Sequence, residues 1–302
     1  VKHTFKVTIV LLLLFLLAQF IGIVVLQQYV DQDKSTQQHK LVFADLPIGE
    51  RPPLEQNNSY LSVIFAVLLG TGLAFLLMRY RLIWVWRIWF FIALLVTIVV
   101  SLGAFLPAWL AFIISFVFSA WRIIKPNFLV QTGTELLVYP GLAAIFVPLF
   151  SLSSISILLV LIAIYDAYAV WKSKHMITLA KSQAQAKIFA GLLVPYSEKE
   201  ERIIHHQPKA IGKDQRVGKV SVRTAVLGGG DIAFPLLFAG VVFKEMGLWQ
   251  SLIIPLFAAL GLGLLFWKAE EKKFYPAMPF ISAGCFVGLG VVWLMGYFIS
   301  VF

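Results

Sequence analysis

Two carboxylates in this chain stand where carboxylates are costly. Asp166, in LIAIYDAYAV, and Asp231, in AVLGGGDIAFPLLF, each lie inside a long apolar run. An aspartate at the centre of a spanning helix costs about 2.5 to 3.5 kcal/mol even on the lenient insertion scale, so such residues usually face a protein interior and mark function. Asp166 precedes Lys172 by six residues and Asp231 follows Arg223 by eight. Read as helix at about 1.5 Å per residue, they sit about 9 Å and 12 Å from the same membrane face. On antiparallel neighbours the two can meet. Like charges a few ångströms apart do not both ionise cheaply, so such a pair can hold one shared proton. The ionised member then takes a proton from an attacking water, while the protonated member hydrogen-bonds the scissile carbonyl and the pair later protonates the leaving nitrogen. Because the titration belongs to the pair, neither role is assigned to either residue. The same two acids could instead form the relay of a proton- or cation-coupled transporter, or be two separately satisfied packing aspartates.

Gly228, Gly229 and Gly230 sit immediately before Asp231. Each costs about 1 kcal/mol in a helix interior relative to alanine, so together they should loosen the start of the helix and bare the backbone beside the acid. A peptide bond inside a membrane helix is sterically covered. Its cleavage needs an extended strand that can come close. The pair Gly284 and Gly288, by contrast, reads as close helix packing.

The elements that must position these residues follow from composition. The chain of 302 residues is 60% hydrophobic and 13% charged, far from a soluble average of about a quarter charged. Repeated apolar runs predict one all-α domain over 1–302, a polytopic membrane helix bundle of about nine spans. These are placed at 5–26, 60–78, 82–101, 104–121, 135–149, 152–171, 223–243, 247–267 and 280–299. The first run follows Lys2, His3 and Lys6 as a signal peptide would, but its length and the lack of a small-residue cleavage motif predict a retained helix. When loops are sorted alternately, all but Lys34, Lys40, Arg51 and Lys244 of the 25 lysines and arginines fall on one side. The positive-inside rule makes that side cytoplasmic, with the N-terminus inside and the C-terminus outside. The net charge of +10 is thus topological, and the partner it implies is the lipid bilayer, not nucleic acid. Two connections are long: an external loop over 27–59 and a basic cytoplasmic loop over 172–222. In the latter, Met176, Ala180, Ala184, Ile188 and Leu192 recur every four residues and predict an amphipathic helix.

Other protease chemistries lack their residues. His3, His39, His175, His205 and His206 all lie outside the spans, with no H-E-x-x-H, so neither a metal nor a serine–histidine pair is expected. Cys285 is the single cysteine and reads as a packing residue.

Tyr165-Asp166, Gly228-Gly229-Gly230-Asp231 and Pro276-Ala277-Met278, in this order, resemble the Y-D, G-x-G-D and P-A-L motifs of the presenilin and signal peptide peptidase family. Nine spans with a long loop between the sixth and seventh are similar too, so the resemblance covers essentially the whole chain, as of a microbial homologue. It implies intramembrane aspartyl proteolysis by Asp166 and Asp231 on transmembrane helical peptides, without a cofactor. It further implies that Tyr165 belongs to the site and that the Pro276 segment lies beside the catalytic pair. Met278 stands where the family has leucine, a change of similar volume. GGGDIAFP is closer to the signal peptide peptidase form, whereas the loop-charge orientation matches presenilin. Assembly into a homo-oligomer is left open.

Overall fold

Inside hydrocarbon, every backbone polar group must be satisfied within the protein, and a helix does this within one segment. The structure is a computed structural model that describes residues 5–38, 40–51, 59–80, 82–125, 127–173, 190–197, 222–269 and 275–301. Among them the long helices are α1 (Phe5–Gln28), α3 (Ser59–Arg79), α4 (Ile83–Gly103), α5 (Ala108–Ile124) and α6 (Phe128–Phe146). They continue as α7 (Leu152–Tyr168), α8 (Gly229–Met246), α9 (Leu248–Lys268) and α10 (Met278–Val301), and a short α2 (Gln32–Gln38) lies between α1 and α3. Each expected span corresponds to one long helix. By length and composition alone, α1, α4, α6, α7, α9 and α10 can cross a membrane, while α3 and α5 are apolar over shorter stretches. α8 carries Asp231, Lys244 and Glu245.

The core is drawn from the faces of α1, α6, α7, α8, α9 and α10 that meet, with Phe15, Phe150 and Phe238 fully buried. α5 is built inside out. Its buried stripe is Ala111, Ser115, Ser119 and Arg122, and its exposed face carries Trp109, Phe112, Ile113 and Phe116. Lipid gives large apolar side chains no reason to leave the surface, whereas small residues let helix backbones approach. Exposed Trp249 and Trp267 stand near the two ends of α9, where interfacial tryptophans anchor a span.

Glycine sets the closest crossings. A Cβ on Gly284 would stand 2.3 Å from the Phe257 carbonyl oxygen, and one on Gly261 2.2 Å from that of Phe280, so α9 and α10 touch backbone to backbone. The packing role read for Gly284 is what the structure has. Part of the connection over 27–59 also packs on the bundle: the Tyr29 hydroxyl donates to the Val100 carbonyl at 2.7 Å, and Arg51 Nε to that of Ala144 at 3.5 Å.

Three boundaries differ from the sequence expectation. The seventh span begins at Gly229, not 223, because Val222–Gly228 is a strand, β2, paired antiparallel with β1 (Gly191–Ser197). Leu192, assigned to an amphipathic helix, lies in β1, and the rest of that helix, 176–188, is outside the described residues. The fifth span begins at Phe128, seven residues before the expected start.

Candidate active site

α7 and α8 are antiparallel neighbours clamped at the ends remote from the acids. The Leu152 amide at the start of α7 donates to Glu245 Oε1 at 2.9 Å, and Lys244 Nζ donates to the Phe150 carbonyl. Ser151 caps the same helix end by accepting from the Ser154 amide at 3.2 Å. From this clamp, Asp166 lies fourteen residues along α7 and Asp231 fourteen residues back along α8, about 21 Å in each case at 1.5 Å per residue. Equal lengths from one clamp put the two acids at one level, and Asp231 is within Coulombic range of Asp166. The helical rise expected between Arg223 and Asp231 does not hold. Arg223 is in β2, and extended backbone rises about 3.3 Å per residue, not 1.5.

Asp166 is buried, at 9% exposure, and accepts the Met278 amide on Oδ2 at 3.1 Å. Met278 opens α10, so this donor is one of the amides left free at a helix N-terminus, where the helix dipole also favours an anion. Pro276 and Met278 are buried and Ala277 half-buried. The contact to Asp166 runs through the main chain of Met278, so methionine serves there as leucine would. Tyr165 is 49% exposed. One residue along a helix is a turn of about 100°, so it faces away from the side that buries Asp166.

The three glycines have different jobs. Gly228 ends β2 and caps α8 with extended backbone, φ −64° and ψ 147°, so no left-handed conformation calls for it. A Cβ there would stand 3.1 Å from Asp231 Oδ2, and one on Gly229 3.2 Å from the Tyr139 hydroxyl. Gly230 is exposed, and a Cβ there meets only the Phe234 ring at 3.5 Å. The strand pair is held beside this turn: the Gly229 amide donates to the Ala190 carbonyl at 3.2 Å, and Gln131 Nε2 of α6 to that of Gly191 at 3.3 Å. Four residues after Asp231, Pro235 has no amide to donate, so the Asp231 carbonyl lacks its helical partner.

The signal-peptide peptidase, presenilin aspartyl protease family model matches residues 40–299. The chain belongs to this family. Two crystal forms of a presenilin family intramembrane aspartate protease share its fold. One aligns at 21% identity and TM-score 0.62, covering 95% of this chain and 99% of that one. The other aligns at 20% identity and TM-score 0.60, covering 94% and 96%. No curated protein matches the chain by sequence. The family makes this chain an aspartic protease acting within the membrane.

Three polar residues of the protease escaped the sequence reading. Gln19, fully buried in α1, donates through Nε2 to the Ile232 carbonyl at 2.9 Å and so ties α1 to the first turn of α8. Arg122, counted among the loop charges, is buried at the end of α5 in an ion pair with Glu135. Its Nη1 also donates to Thr134 Oγ1 at 2.8 Å. Glu135 stands at the edge of the span expected over 135–149. Starting α6 at Phe128 puts it two turns inside, so it is buried as Asp166 is. The available signal was FLVQTGT, a run with no charge and no proline that can lengthen the helix.

Proposed function

We propose that the protease hydrolyses peptide bonds within membrane-spanning segments of its substrates by acid/base catalysis at Asp166 and Asp231. The observation that carries this is their equal distance from the Leu152–Glu245 clamp, which puts two carboxylates at one level inside the bundle. One carboxylate takes a proton from water, whose oxygen bonds to the scissile carbon. The other donates to the carbonyl oxygen, and collapse of the tetrahedral intermediate sends a proton to the departing nitrogen. The Met278 amide holds one oxygen of Asp166 and thereby sets the direction of the other. A substrate in extended form would approach over Gly230, where the surface beside Asp231 is open, and the Pro276–Met278 segment forms part of the wall.

The test is incubation of the purified protein with a transmembrane peptide, followed by mass spectrometry. New termini inside the apolar segment are expected. Their loss with an inhibitor carrying a hydroxyl in place of the scissile carbonyl, and not with a chelator, is expected as well. Ion flux without new termini would favour the transporter reading.

Loop charge supports an N-terminus in the cytoplasm and a C-terminus outside. Glu50, exposed in the external segment, is a suitable reporter because the native Cys285 is buried. In Glu50→Cys, an impermeant thiol reagent should label intact cells. In Lys209→Cys it should label only after the inner face is opened, and the reverse pattern would overturn the orientation.

A further inference from the structure

An amide side chain buried in an apolar helix is costly, so its retention asks for a use. Gln19 of α1 is fully buried, and its Nε2 donates to the Ile232 carbonyl at 2.9 Å. Its Oε1 is buried too and meets no hydrogen-bond partner among the described residues. Half of the amide is thus left unbonded so that the other half can reach one carbonyl. Ile232 follows Asp231 directly, and the tie acts on the main chain next to the acid.

The turn that Gln19 holds is short of a bond of its own. Pro235 has no amide to offer the Asp231 carbonyl, and its ring crowds that oxygen, so the first turn of α8 is weakened at the acid. A carbonyl oxygen accepts two bonds, so Ile232 can take Gln19 without leaving the helix. At the start of the same turn the Gly229 amide donates to the Ala190 carbonyl at 3.2 Å. Asp231 therefore stands between two ties, one to the residue before β1 and one to α1. The position of Gln19 is fixed in turn by the packing beyond it. A Cβ on Gly22 would stand 2.4 Å from Leu236 Cδ1, and one on Gly240 2.8 Å from Leu26 Cδ1. Meetings of 19 with 232, 22 with 236 and 26 with 240 advance by about a turn on both helices, so α1 and α8 run parallel and in register.

We propose that Gln19 is a positioning residue of the protease, whose bond to the Ile232 carbonyl fixes the first turn of α8 and thereby the direction in which Asp231 presents its carboxylate to Asp166. The inference rests on the acid/base reading of the two aspartates. Asp166 is oriented through its own side chain by the Met278 amide, whereas Asp231 is oriented through its main chain. Alignment of the reacting groups counts in the transition state more than in substrate binding.

The experiment is Gln19→Met, which keeps an unbranched side chain of similar length and removes the amide. With a transmembrane peptide as substrate, kcat should fall about 10- to 100-fold, the range of a misplaced catalytic group, with KM within about twofold. Affinity for a hydroxyl-bearing transition-state analogue should fall by the same factor. The thermal midpoint should move by no more than about 4 °C, the effect of one hydrogen bond in a chain of this size. Gly22→Ala disturbs the α1–α8 packing one turn on and leaves the amide in place. It should lower the thermal midpoint more than Gln19→Met does and kcat less. Wild-type kcat and analogue affinity in Gln19→Met would overturn the inference. So would loss of its fold, because Gln19 would then be a structural contact, and so would an equal fall of kcat in Gly22→Ala, because any loosening of α1 would then suffice. Asp166→Asn, assayed alongside, separates the two levels. If it is inactive while Gln19→Met is fully active, only this inference falls. If Asp166→Asn cleaves, the acid/base reading falls and this inference with it.

Discussion

Asp166→Asn and Asp231→Asn should each abolish the appearance of new peptide termini, with the cleavage rate down by about 10,000-fold or more. Asparagine matches aspartate in shape but neither takes a proton from water nor returns one. The fold should survive, because an asparagine oxygen at 166 can still accept the Met278 amide that closes α10 onto α7. Removing a charge from a low-dielectric interior also adds no solvation cost. Combining the two substitutions should do little further harm, since residues that act as a unit are not additive. Single-turnover assays on the detergent-solubilised variants, beside thermal unfolding, read both halves of the expectation. A single variant that cuts at the wild-type rate would remove that carboxylate from the mechanism.

Gly284→Leu should destabilise the bundle by about 3 kcal/mol or more, at the upper end of overpacking costs, whereas Gly290→Leu in the same helix should be nearly silent. The chemical change is identical in the two variants. At 284 a Cβ would stand 2.3 Å from the Phe257 carbonyl oxygen and 3.0 Å from the Ala258 Cα, both backbone atoms that cannot rotate away. At 290 a Cβ meets nothing within 4 Å. Because α10 presents the Met278 amide to Asp166, splaying α9 from α10 should also lower cleavage in Gly284→Leu. Thermal unfolding of the two variants under one set of conditions decides the matter. Equal stability would mean that the α9–α10 crossing is looser than its backbone contacts imply.

The division between what composition reveals and what packing decides can be drawn residue by residue. Among the described residues each expected span has its long helix because, in hydrocarbon, the requirement to satisfy the backbone locally leaves a long apolar run little choice. Asp166 and Asp231 were legible for the same reason: a carboxylate in such a run is costly enough to stand out. Gly284 was legible as packing, since small residues four apart in a span announce a close crossing.

Other features depend on what lies across the chain. VRTAVLG reads as the start of a helix because nothing in it breaks one, yet it is a strand. Gly191–Ser197 supplies the ladder partner from beyond a long connection, and the side chains alternate, Ala225 and Leu227 in and Val226 out. Glu135 and Arg122 each look like the edge of a span until α5 and α6 are set side by side and the two neutralise one another. Tyr139 is one apolar-run tyrosine among several until α6 turns it toward Gly229. The sequence by itself determined which segments are apolar enough to form long helices and which acids stand out within them, because both are local costs set by the hydrocarbon. Only the tertiary structure decided which groups face those acids, because a partner distant in sequence is chosen by helix packing, to which no local pattern is sensitive.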